Sequence, residues 1–206
     1  MSRALSTQPL VPTIPPLPTP GLAPQQVSQL LEARDRGAAL RRACFVATFD
    51  AWMIAIFAAL TGLTGLFSLP SLILAMGMGW VAWREFQGAR QLRCLHPRAA
   101  RMLAINQVCL AAMLIVYALW QGYRGMIADP VSAAAGADPQ LTQMLAPIDQ
   151  LGKLITLSVY AGLVFVAIFV QGGTALYYFT RESRLAAYLV QTPNWITELQ
   201  RSGVAI

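Results

Sequence analysis

The sequence predicts an all-α, polytopic membrane protein: a four-transmembrane-helix bundle with amphipathic cytoplasmic helices and an extracytoplasmic interfacial helix. Three observations carry that expectation. Charge is scarce: 12% of the 206 residues are charged and 56% hydrophobic, whereas a soluble domain carries roughly 25% charged residues. Four apolar runs approach or exceed the ~20 residues that a helix needs to cross a bilayer. Of the 15 lysines and arginines, all but Arg124 and Lys153 fall in three segments that four crossings put on one side.

Residues 1–24 are expected to form a disordered, proline-rich cytoplasmic arm. Pro9, Pro12, Pro15, Pro16, Pro18 and Pro20 break any helix and leave no apolar signal-peptide core. The first apolar run then serves as an uncleaved anchor and the arm as a tether, although its Pro-x-x-Pro spacing also suits an SH3-like partner. Pro24 fits the first position of a helix. Over residues 25–43, Val27, Leu30 and Leu31 recur at helical spacing, among Arg34, Arg36, Arg41 and Arg42. That is a basic amphipathic helix, expected to lie on the membrane surface among anionic headgroups.

The membrane domain is expected over residues 44–180, with spans at about 44–67, 69–86, 102–120 and 154–179. The first span contains one charge, Asp50. The turn after it, Ser68-Leu69-Pro70-Ser71, permits only a tight helical hairpin. The second span has a short apolar part, so Arg84 and Glu85 are expected to snorkel to the headgroups. A re-entrant pair is the alternative to two full crossings. Between the third and fourth spans, Asp129-Pro130 and Asp138-Pro139 read as N-caps followed by proline at the first helical position. Leu141, Met144, Leu145, Ile148 and Leu151 then predict an interfacial helix leading into the fourth span, with a kink at Pro147. Residues 181–206 form an amphipathic cytoplasmic tail with a restart at Thr192-Pro193.

The basic residues set the orientation. Residues 84–101 alone hold Arg84, Arg90, Arg93, Arg98 and Arg101; residues 1–43 and the tail, with Arg181 and Arg184, hold the others on that side. The positive-inside rule makes this face cytoplasmic, with both termini inside. Low lysine with high arginine, alanine and leucine fits a GC-rich bacterial genome, hence an inner membrane. The arginines Arg41, Arg42, Arg84, Arg90, Arg93, Arg98, Arg101, Arg181 and Arg184 are read as topology and lipid-headgroup residues. No nucleic acid is needed to explain a net charge of +6.

Ionisable or amide side chains inside a span are functional candidates. Asp50, Asn106, Gln107 and Gln171 fall in the inner halves of three spans and would form a polar cluster if they face one another. The plainer account is interhelical bonding, with Asp50 paired to Arg84 or Arg101. Small residues four apart (Ala58 and Gly62, Thr61 and Gly65, Ala75 and Gly79) permit close helix approach. Cys44, Cys94 and Cys109 form no Cys-x-x-Cys pair, and Cys94 with His96 offers two ligands where structural zinc takes four. No metal, cofactor or catalytic set is expected.

These readings favour a non-enzymatic accessory, scaffold or interaction subunit, whose partners are the bilayer and a membrane protein or a second copy. The alternative is a small transporter or channel with a cytoplasmic-side polar site around Asp50. A membrane-bound enzyme ranks third, for want of catalytic residues.

Overall fold

The computed structural model describes residues 21–128 and 139–204. Among these, regular structure is entirely helical. α1 (Pro24–Gly65) is 42 residues long, about 63 Å at 1.5 Å per residue. α2 (Leu69–Arg93) and α3 (Ala99–Ile127) follow. α4 (Pro139–Val166), a π-helical turn (Ala167–Gln171) and α5 (Gly172–Gln191) run on without a break. α6 (Asn194–Arg201) closes the chain. Three helical stretches are long and apolar enough to cross a membrane: Pro24–Gly65, Ala99–Ile127 and Gln143–Gln191. These mark the chain as a membrane protein. α2 stands outside that set because Arg84 and Glu85 cut its apolar run short.

The helices pack in sequence order. α1 and α2 form a tight antiparallel hairpin, α3 lies on α2, the α4–α5 rod lies on α3, and α5 returns to touch α1. The inner stripe of α1 is almost all small: Ala33, Gly37, Ala43, Ala47, Ala51 and Ala58 are buried. Small residues let backbones approach, which is the main source of helix association where lipid removes the hydrophobic drive. A Cβ on Gly62 would sit 3.7 Å from that of Ala75. Gly79, which the sequence pairs with Ala75, faces open space instead.

Two apolar clusters fill the bundle. One gathers Leu40, Ala47, Leu92, Leu95, Leu103, Tyr178 and Leu185, near the end rich in arginine (the basic end). The other gathers Ile54, Leu74, Met78, Val81, Leu110 and Leu114, farther along. Large apolar side chains such as Phe45, Phe57, Leu63, Val116 and Phe165 point outward, suited to lipid.

Several expectations change. Residues 25–43 are not a separate surface helix: they continue into the first span as one rod, and one rod cannot both lie flat and cross. Their inner stripe is covered by the chain's own tail. Gly37 lies against the Tyr188 ring, Arg36 Nη1 donates to the Gln191 carbonyl at 3.1 Å, and Trp195 Nε1 donates to Gln29 Oε1 at 3.3 Å. Residues 139–151 likewise belong to the same helix as the following span, with Pro147 inside it. The proposed N-caps Asp129 and Asp138, and residues 1–20 of the arm, lie outside the described residues.

The π turn explains how one rod keeps a single buried edge. Inward positions recur as Thr156, Tyr160, Leu163, Ala167, Gln171, Ala175 and Tyr178. The three successive steps of four from Leu163 to Ala175 contain one residue more than a regular 4-3-4 stripe, and the wide turn absorbs it.

The α2–α3 turn has its own signature. Leu95 has φ 55°, a left-handed conformation that costs a non-glycine residue about 1–2 kcal/mol. The turn holds because His96 N–H reaches the Gln91 carbonyl at 2.9 Å and the Leu95 side chain is buried in the basic-end cluster. Leu95→Gly should relieve the backbone yet lose the burial, a net loss of roughly 1–2 kcal/mol. Detergent-solubilised thermal unfolding would check this; a stabilised variant would show that the side chain contributes little.

Candidate functional site

The polar side chains of the spans form a layer between the two apolar clusters. Helix phase brings them together. On α2, Met78, Val81, Glu85, Gly88 and Leu92 follow one buried stripe, and on α3 Leu103, Asn106, Gln107 and Leu110 do the same. Asp50 comes from α1 and Tyr178 from α5.

Glu85 is the centre of the layer, fully buried at 0% exposure. It accepts from Asn106 Nδ2 on Oε2 at 2.6 Å and from Gln107 Nε2 on Oε1 at 3.1 Å. Asn106 Nδ2 also donates to the Val81 carbonyl at 3.0 Å. Gln107 Nε2 donates to Asp50 Oδ2 as well. One amide thus bridges two carboxyl groups from two different helices, and both amide nitrogens are fully used. Gln107 Oε1 and the Tyr178 hydroxyl are buried with no hydrogen-bond partner, the latter within electrostatic reach of Glu85 and Asp50.

Of the four residues read from the sequence as a cluster, Asp50 and Gln107 are joined directly and Asn106 through Glu85. Gln171 is not hydrogen-bonded to them. It lies two turns from Tyr178, about 10 Å along the rod, and its Oε1 is buried without a partner. Glu85 does not snorkel: its position in the buried stripe turns it inward, and the amides of α3 satisfy it. Nor does an arginine neutralise Asp50. The described ion pairs are Arg36–Glu32 and Lys153–Asp149, and Arg101 is exposed.

The arginines gather at the basic end in two grooves. Arg41, Arg42 and Arg181 line one between α1 and α5. Arg41, Arg90 and Arg93 line the other, between α1 and α2, where Arg93 Nη2 donates to Thr48 Oγ1 at 3.0 Å. Arg84 is half-buried; Arg98 and Arg184 are exposed. Cys94 and His96 are exposed at the α2–α3 turn beside Arg90 and Arg201. Among the described residues no three His, Cys, Asp or Glu side chains gather as metal ligands.

Chemically the layer can do two things: lock the register of three helices, or hold a proton or small cation between its two carboxyl groups. No protein family, curated protein or solved structure matches the chain.

Proposed function

We propose that the chain is a multi-pass, four-crossing inner-membrane protein with both termini cytoplasmic, acting as a non-enzymatic accessory or scaffold subunit. The observation that carries this reading is the polar layer between α1, α2 and α3: its amide donors are all spent on neighbouring helices, and it is flanked by apolar clusters. Such a layer fixes helix register, at about 0.6–2 kcal/mol per interhelical hydrogen bond. Four crossings are supported by the antiparallel packing of α2 on α1; the apolar part of α2, residues 69–83, covers about 22 Å, so the bilayer thins there or Arg84 reaches up to the headgroups. The buried stripe of α2 runs from Ser71 to Leu92 and is covered by α1 and α3, as a full crossing requires and a short re-entrant loop would not. Orientation is supported by the basic end, which collects Arg41, Arg42, Arg90, Arg93 and Arg181, while Arg124 lines a groove with Thr156 at the opposite one.

A second reading, a small transporter or channel, is favoured by one observation: Asp50 and Glu85 face the same amide with no cation opposite. Asp50→Asn separates the two. The asparagine keeps a hydrogen-bonding oxygen and removes the charge. In reconstituted liposomes the scaffold reading expects intact folding and unchanged capture of a cross-linked membrane partner. Loss of an ion or proton flux, with folding intact, would instead establish the transporter reading.

A further inference from the structure

The groove between α1 and α5 at the basic end has the polarity of a lipid. We infer that it binds one anionic phospholipid, with Arg42 and Arg181 on the phosphate and an acyl chain running along Phe45, Val170 and Gly173. This rests on the membrane reading above, because the basic end must meet a headgroup layer.

Arg181 is the first observation. Its Nε and Nη1 are buried and have no hydrogen-bond partner, and its guanidinium stacks on the Tyr177 ring at 4.4 Å. Stacking orients the donors but leaves them unspent. A buried guanidinium without an acceptor is costly, and no Asp or Glu lines the groove. An anion with several oxygens would satisfy it, and the planar guanidinium fork matches phosphate.

The second observation lies across the groove. Arg41 and Arg42 face it from α1, and Arg41 Nη2 is held by the Arg34 carbonyl at 2.8 Å. Three cations therefore surround one end of a space of about 830 Å³. That volume falls in the range of ligand sites.

The third is what lies beyond the cations. Val170 is eleven residues before Arg181, about 16 Å along the rod. Over that length the wall is Phe45, Val46, Val170, Gly173, Thr174 and Tyr177, and the Thr174 hydroxyl is spent on the Val170 carbonyl at 2.8 Å. Phe45 and Val170 are exposed, and a Cβ on Gly173 would meet nothing within 4 Å. The glycine leaves an open track at the depth of a chain, below donors at the depth of a phosphate. A soluble phosphate would use the donors and leave the track unexplained.

Native mass spectrometry of the full chain tests this, with phosphatidylglycerol, phosphatidylcholine and inorganic phosphate as probes. Wild-type protein should retain one phosphatidylglycerol in preference to phosphatidylcholine. Arg181→Gln and Arg42→Gln should each weaken that retention roughly tenfold, while Arg98→Gln, outside the groove, should not. Gly173→Leu, which leaves all charges in place, should weaken it by filling the track, and keeps the test alive if an arginine variant fails to fold. Equal retention of both lipids, an equal loss with Arg98→Gln, or full displacement by millimolar inorganic phosphate would overturn the lipid site. If wild-type protein in vesicles resists alkaline carbonate yet shows no lipid preference, the lipid site fails and the membrane reading stands. Release by carbonate would overturn the membrane reading and the lipid site with it.

Discussion

Gln107→Leu is expected to destabilise the bundle by roughly 3 kcal/mol. Leucine is close to glutamine in size, so the change opens little cavity. What it removes is the Nε2 group that donates to both Asp50 and Glu85. Asp50 then loses the only hydrogen bond seen for its carboxyl group among the described residues, and Glu85 keeps only Asn106. A buried acceptor left without a donor costs far more than the bond itself contributes. The asymmetry gives a sharper test. Asp50→Leu combined with Gln107→Leu removes that donor and one of its two acceptors, and should recover the part of the loss that comes from Asp50, while Glu85 still lacks its second donor. Unfolding in mixed micelles of mild detergent and sodium dodecyl sulfate, followed by tryptophan fluorescence, would measure both. A single variant within about 0.5 kcal/mol of wild type, or a double variant no better than the single, would show that the layer contributes nothing through this amide.

Much of this arrangement is legible from residue patterns, and the parts that are not have physical reasons. The apolar runs locate the spans because nothing else accounts for twenty residues without charge. Pro24 marks the start of α1, and Gln26 Oε1 accepts from the Ala23 N–H there at 2.9 Å. The junction of the basic segment with the span is hidden, because arginine and alanine are both strong helix formers and neither Gly nor Pro interrupts residues 38–61. Asp50, Asn106 and Gln107 stand out as polar residues in apolar runs. Glu85 does not, because it sits beside Arg84 near the end of the run and reads as a charge pair reaching for headgroups. Its helical phase was the available signal: it lies four residues after Val81 and three before Gly88, on the stripe of Met78 and Leu92. Tyr178 is masked in a similar way, since aromatic residues at span ends are ordinarily headgroup anchors. The π turn is visible only once the buried edge is known, since an inserted residue leaves composition unchanged.

Glycines that look equivalent in sequence separate in their surroundings, and this yields the second large effect. Thr61 with Gly65 and Ala75 with Gly79 are the same small-residue spacing. Gly65→Ala is expected to destabilise by about 2–3 kcal/mol, whereas Gly79→Ala should stabilise by about 0.5–1 kcal/mol, the usual helical gain over glycine. A Cβ on Gly65 would fall 2.8 Å from Leu72 N and 2.9 Å from its Cα. These are backbone atoms. No rotamer change can move them, and Leu72 N–H is already held by the Ser68 carbonyl at 3.0 Å. The methyl group must therefore push α2 away from α1 at the top of the hairpin, where Gly65 O also accepts from Ser68 N–H at 3.1 Å. Gly88 offers an instructive contrast: its obstacles are the side chains of Leu103 and Met102, which can turn aside, so Gly88→Ala should cost less than Gly65→Ala. At Gly79 nothing lies within 4 Å, so only the backbone entropy of the unfolded chain changes. Opposite signs for Gly65→Ala and Gly79→Ala in the same mixed-micelle unfolding measurement would establish that the α1–α2 hairpin closes on Gly65. Shifts of the same sign would mean that the two helices separate at that end and that the close approach is absent in the membrane.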